Sequence, residues 1–175
     1  MCIRDRGIGG GFDGKKLRLF HADSKVYKVY ELDVDTLKPI KTVNAPSNSD
    51  PLGVPGTPTG IGGGFDGKKL RLFHADPYID KVYELDVDTL KPIKTVKSPG
   101  TCPEDIGGDF DGKKLRLFNA DPVAGKLYEL DVDTLTPIKT VNAPSNNSRG
   151  VGGGYFTMNK KYIMHNGIKY ELKEV

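Results

Sequence analysis

Seventeen consecutive residues of this chain occur twice without a single change: Gly7–Asp23 reads GIGGGFDGKKLRLFHAD, and so does Gly60–Asp76. A third copy, Asp105–Asp121, reads DIGGDFDGKKLRLFNAD. A second shared run follows each copy. Val29–Val43, VYELDVDTLKPIKTV, recurs as Val82–Val96 and, with two changes, as Leu127–Val141. Phe12 and Phe65 lie 53 positions apart, Phe65 and Phe110 only 45, and the surplus falls in one Pro-, Gly- and Ser-rich linker, Asn44–Thr59. A shortened fourth copy begins at Gly150. Repetition at this period describes an array of like units, each of which must bury its apolar surface against a neighbour.

Each unit divides into four short strand candidates. The first is the glycine-rich GIGGGF, and Asp13-Gly14 after it is a strong hairpin turn. The second is Lys16–Phe20, with Leu17 and Leu19 on one side and Arg18 and Phe20 on the other. The third, Lys28–Val34, sets Val29, Glu31 and Asp33 against Tyr30, Leu32 and Val34, and the fourth is Pro39–Val43. These runs are strand-length, rich in β-branched and aromatic residues and bounded by turn formers. The apolar spacing of three and four that a helix needs is missing.

Four antiparallel strands in about 45 residues is the size of one propeller blade. The sequence therefore predicts an all-β chain of about three and a half β-propeller blades in an incomplete ring. Residues 7–59 are blade 1 with a long linker, 60–104 blade 2, 105–149 blade 3 and 150–175 a partial blade that stops short of a fourth strand. Glycine weakens a strand unless another backbone approaches closely. The GIGGG strand is accordingly expected at the crowded axis.

The pattern Phe-Asp-Gly-Lys-x-Leu, then Ala-Asp, then Lys-Val-Tyr-Glu-Leu-Asp-x-x-Thr resembles the repeats of YVTN/NHL-like propellers and spans nearly all of Gly7–Val175. That resemblance implies a rigid scaffold. It leaves activity open, because such propellers include scaffolds, binding modules and a few enzymes of cyclotransferase or lyase type.

Residues 1–6, Met-Cys-Ile-Arg-Asp-Arg, share nothing with the repeats. They are read as a translated sequencing-library adapter, which makes the chain a fragment and excludes them from the fold. Without Cys2, Cys102 stands alone and supports no intramolecular disulfide. No apolar segment approaches the ~20 residues of a membrane helix and no signal peptide is visible. The formal charge of +3 is too small and too dispersed for a nucleic-acid surface.

Three residue groups invite a chemical reading. The Asp-x-Asp-Thr turns (Asp33, Asp86, Asp131 and their followers) supply too few oxygens for calcium, and are read as braces for turn backbone. Arg18, Arg71 and Arg116 are assigned to Glu31, Glu84 and Glu129 on the adjacent strand, with an anion-binding channel as the alternative. Tyr30, Tyr83 and Tyr128 are read as inter-blade packing residues with hydroxyls at the rim. The variable segments, Ser24–Lys28, Pro77–Lys81 and Pro122–Lys126 with the inter-blade linkers, all fall at one end of the blades. At that end His21, Asp23, His74, Asp76, Asn119 and Asp121, taken as the start of the second loops, are the candidate ligand-binding residues. Two histidines fall short of a zinc site, so no metal is assigned, and no cofactor or catalytic residue either. No nucleophile elbow or phosphate loop is present.

The expectation is a non-enzymatic binding or scaffold module offering its loop-rich face to a protein or glycan partner. Its alternatives are a fragment of a propeller enzyme or a structural cell-surface repeat protein; an extracellular or cell-envelope location is favoured over others. The exposed blade edges of a fragment favour self-association.

Overall fold

The computed structural model describes residues 7–46, 58–144, 150–151, 162–165 and 168–171. Residues 1–6, most of the Asn44–Thr59 linker and much of the fourth copy lie outside the described residues. Within these bounds every regular element is a β-strand.

Strands β1 (Gly7–Phe12), β2 (Leu17–Asp23), β3 (Lys28–Leu32) and β4 (Pro39–Asn44) form one antiparallel sheet in sequential order. A second sheet holds β5 (Gly60–Phe65), β6 (Leu70–Asp76), β7 (Lys81–Leu85) and β8 (Pro92–Lys97). A third holds β9 (Asp105–Phe110), β10 (Leu115–Asp121), β11 (Lys126–Leu130) and β12 (Pro137–Asn142). A two-stranded ribbon, β13 (Tyr162–His165) with β14 (Ile168–Glu171), belongs to the fourth copy. The expected blade architecture is thus present three times.

Local chemistry closes each sheet. Asp13 Oδ1 accepts the amide hydrogens of Lys15 and Lys16 at 2.8 and 2.9 Å, while Gly14 supplies the left-handed φ of +96°. Asp66 and Asp111 repeat this brace. Between β3 and β4, Asp33 Oδ1 accepts from both the amide and the hydroxyl of Thr36, at 2.8 and 2.7 Å. Asp86 and Asp131 do the same with Thr89 and Thr134, so the turn aspartates hold backbone as expected.

The turn ends on a leucine in the left-handed region: Leu37, Leu90 and Leu135 have φ of 55°, 58° and 59°. Leucine pays of order 1 kcal/mol to sit there. At Leu90 and Leu135 the return is complete burial in the interface with the preceding sheet.

Each sheet has two unlike faces. A leucine face (Ile61, Leu70, Leu72, Leu85 and Leu90 in the second sheet) lies on the phenylalanine face of the sheet before it, Phe20, Ala22 and Val29. The third sheet repeats this with Ile106, Leu115, Leu117, Leu130 and Leu135 against Phe73, Ala75 and Val82. Stacking therefore buries what one sheet alone would leave in water.

Glycine sets the spacing at the inner strands. A Cβ on Gly9 would lie 2.2 Å from the Ile61 carbonyl oxygen of β5, and one on Gly62 2.3 Å from that of Ile106 on β9. The strands expected at the axis are the ones whose backbones touch.

Some strand limits differ from expectation by one to three residues, most at the ends of β2 and β3. β2 and its copies continue through His21-Ala22-Asp23, because these residues pair with Tyr30, Val29 and Lys28. β3 ends at Leu32, where a register shift between Glu31 and Leu32 precedes the turn. We predict that Gly62→Ala costs about 1–3 kcal/mol, because two backbones must separate to admit one methyl. Urea unfolding of the variant measures it, and an unchanged midpoint would remove the close-approach argument.

Candidate functional site

In an up-and-down blade the β2–β3 loop and the incoming linker share one end, and the β1–β2 and β3–β4 turns share the other. The three β2–β3 loops have one frame. Their fourth residue, Tyr27, Asp80 or Gly125, takes a φ of 55°, 51° or 61°. On that frame the second residue changes from Lys25 to Tyr78 to Val123, and all three side chains are exposed.

Candidate residues His21, His74 and Asn119 occupy the same strand position, on the leucine faces. His21 Nδ1 meets the Gly7 carbonyl at 3.0 Å and His74 Nδ1 that of Gly60 at 2.8 Å. Asn119 Nδ2 donates to the Asp105 carbonyl at 2.8 Å. Each polar side chain ties its strand to the inner strand of its own sheet. The histidines also stack on Tyr30 and Tyr83, with ring centroids 5.8 and 5.5 Å apart. His74 is fully buried between the first two sheets, and desolvation pulls its pKa down to about 4. Among the described residues its Nε2, the Tyr83 hydroxyl and Asn119 Oδ1 are buried and have no hydrogen-bond partner. Tyr83 packs between blades as expected, but its hydroxyl is enclosed rather than at the rim. Burial first, then the negative charge of Asp76, raises its pKa.

The candidate aspartates work on backbone. Asp23 Oδ1 accepts the Lys25 amide at 2.8 Å and Asp76 Oδ1 the Tyr78 amide at 3.0 Å. Asp121 does more: Oδ1 takes the Ala124 amide, and Oδ2 takes those of Thr101 and Cys102 at 2.7 and 3.0 Å. It thereby pins the linker arriving from the second sheet. Cys102 is buried and disulfide-bonded, which corrects the expectation of a solitary thiol; the chain's other cysteine, Cys2, lies outside the described residues. The six candidate residues are spread over three blades, each in its own layer. Among the described residues no three His, Cys, Asp or Glu side chains cluster to hold a metal ion.

At the opposite end, arginines clasp successive blades. Arg18 Nε donates to Glu31 at 2.8 Å, as expected from the sequence, and Nη1 donates to Asp88 of the next sheet at 2.8 Å. Its Nη2 reaches the Val87 carbonyl at 3.0 Å, and the guanidinium lies 5.6 Å from the centre of the Phe20 ring. Arg71 repeats every part of this with Glu84, Asp133, Val132 and Phe73. Arg116 pairs with Glu129. The inter-blade half of each clasp joins residues 70 and 62 apart in sequence and was invisible there. Grooves of about 340 and 370 Å³ open beside the two clasps, lined by the Lys-Lys turns and by Ile93 or Ile138. A smaller one of about 210 Å³ follows the inner glycines; at its edge Asp105 accepts the Val151 amide at 2.8 Å. Burial pushes the Asp105 pKa up to about 6.

Solved structures share this fold. Hydrazine synthase of Kuenenia stuttgartiensis matches with a TM-score of 0.57 at 17% identity, over 81% of this chain and 37% of that one. Myxococcus xanthus glutaminyl cyclase matches at 0.55 and 14% identity, over 97% of this chain and 61% of that one. U3-55K matches at 0.52 and 10%, over 72% and 36%. The chain has the β-propeller fold. No protein-family model and no curated relative matches it. This propeller chain spans less than two thirds of each matched structure, and at these identities the likeness concerns fold alone.

Two predictions come from the buried polar groups. Unfolded His74 binds a proton between pH 6.5 and about 4 that the folded propeller excludes, so stability falls as pH drops through that window. The loss is up to roughly 3 kcal/mol. His74→Asn, which copies Asn119, flattens that part of a thermal-melt series from pH 7 to 4. Arg71→Ala leaves Glu84 buried without its partner and costs about 3 kcal/mol, whereas Asp133→Ala, at the exposed end of the clasp, costs under about 1 kcal/mol. Denaturant titration separates the two.

Proposed function

We propose that this propeller is a non-enzymatic binding or scaffold module whose loop-bearing end docks a protein or glycan partner. The observation that carries the reading is the contrast between fixed frame and free tip. Aspartates at the same position hold the three β2–β3 loops in one conformation, while exposed Lys25, Tyr78 and Val123 offer three chemistries from it. Exposed tyrosine and valine on braced loops add little ordering cost on binding, which is what a recognition surface requires. The polar candidates contribute from behind, His74, Asp76, Asn119 and Asp121 being buried supports for the exposed residues. We assign the repeats to the YVTN/NHL type on their Phe-Asp-Gly-Lys and Leu-Asp-x-x-Thr spacing.

The test is binding to glycan arrays and displayed peptide libraries, with the double variant Tyr78→Ser/Val123→Ser beside Ile93→Ser, which changes the opposite end. The reading expects the loop variant to lose about tenfold or more in affinity and Ile93→Ser to bind as the parent does. Equal binding by the loop variant, or loss confined to Ile93→Ser, would overturn it.

A further inference from the structure

The three copies of one repeat occupy unequal surroundings, and the inequality has a direction. Ile61 and Ile106 are 2% and 1% exposed, whereas Ile8, at the same position in the first sheet, is 63% exposed. Leu70 and Leu115 are each 3% exposed, but Leu17 is 51%. Leu90 and Leu135 are each 1% exposed, but Leu37 is 62%. Leu37 nonetheless keeps the left-handed φ of 55° that its buried counterparts have, and so bears the conformational cost without the burial. Asp35 completes the set. Asp88 and Asp133 at its position each accept an arginine from the preceding blade, while the Asp35 carboxylate bonds to nothing among the described residues.

We propose that the leucine face of the first sheet is a docking surface for the phenylalanine face of one further blade of this same repeat type. The identity of the occupant is written twice in the molecule. On the second sheet this face, with the same letters from Gly60 to Asp76, is covered by Phe20, Ala22 and Val29, and Arg18 reaches Asp88. On the third it is covered by Phe73, Ala75 and Val82, and Arg71 reaches Asp133. The incoming blade brings an arginine to Asp35 and an aromatic–alanine–valine surface to Ile8, Leu17 and Leu37. Shape and charge together select this occupant over a second leucine face, which would bring no cation to Asp35.

A chain carrying an extra copy of Gly60–Glu104 joined directly to Gly7 supplies that blade. In the parent, Leu37→Ala changes the melting temperature little; in the extended chain it lowers it by about 5 °C or more, as for a buried leucine. Asp35→Ala and alanine at the arginine of the added blade, the copy of Arg71, are non-additive there, since both remove one ion pair. The proposal fails if Leu37→Ala acts equally in both chains, or if the added blade melts separately from the rest. It fails also if the parent sediments as a dimer that Leu37→Ala dissolves while the extended chain shows no coupling to Asp35, for a second copy would then own the face.

Discussion

Backbone-to-backbone contact between inner strands sets the geometry on which everything else in this propeller depends. With Gly9 against the Ile61 carbonyl and Gly62 against that of Ile106, successive inner strands meet backbone to backbone at these points. The sheets must fan from there, and their outer strands diverge. Leucine and phenylalanine faces of unlike shape fill the widening space. A glycine facing the other way answers a different demand: a Cβ on Gly10 would meet the Arg18 carbonyl of its own sheet at 2.3 Å. The third copy departs from the pattern at Asp105, in the place of Gly60. There the carboxylate takes up the Val151 amide, and burial pushes its pKa up to about 6.

The arginine clasps act where the sheets have already diverged. Each guanidinium links a buried glutamate of its own sheet, a turn aspartate of the next and a phenylalanine ring in the interface. Burial alone would lower the arginine pKa, and the carboxylate bonds more than reverse that, leaving it raised at Arg18 and Arg71. Apolar contact tolerates sliding of one sheet on another. Three directed hydrogen bonds from one planar group tolerate little, so the clasp fixes register between blades more than it adds raw stability.

Strand order, blade period and the axial place of glycine were legible in the sequence because each depends on local pattern: alternation, Asp-Gly turns and exact recurrence. The same-blade half of the arginine pairing was legible too, since Arg18 and Glu31 lie on adjacent strands. The partners Asp88 and Asp133 were not, because they answer to blade stacking rather than to local order. His21-Ala22-Asp23 read as the start of a loop, and cross-strand pairing with Lys28–Tyr30 overrode that. No propensity scale places leucine in a left-handed turn; Leu90 and Leu135 do so because the preceding sheet needs an apolar group at that point.

Identity of letters between repeats is therefore a poor guide to shared chemistry. His21 and His74 stand in identical stretches and make the same bond to an inner-strand carbonyl, yet His21 lies on an uncovered face and His74 is sealed between two sheets. The sealed ring is held neutral by its surroundings. Recurrence preserves the part each residue plays inside its own blade, whereas contact with a partner is settled by what lies outside it. At the loop end the exposed side chains Lys25, Tyr78 and Val123 differ between copies, while the recurrent aspartates beneath them hold the same loop frame.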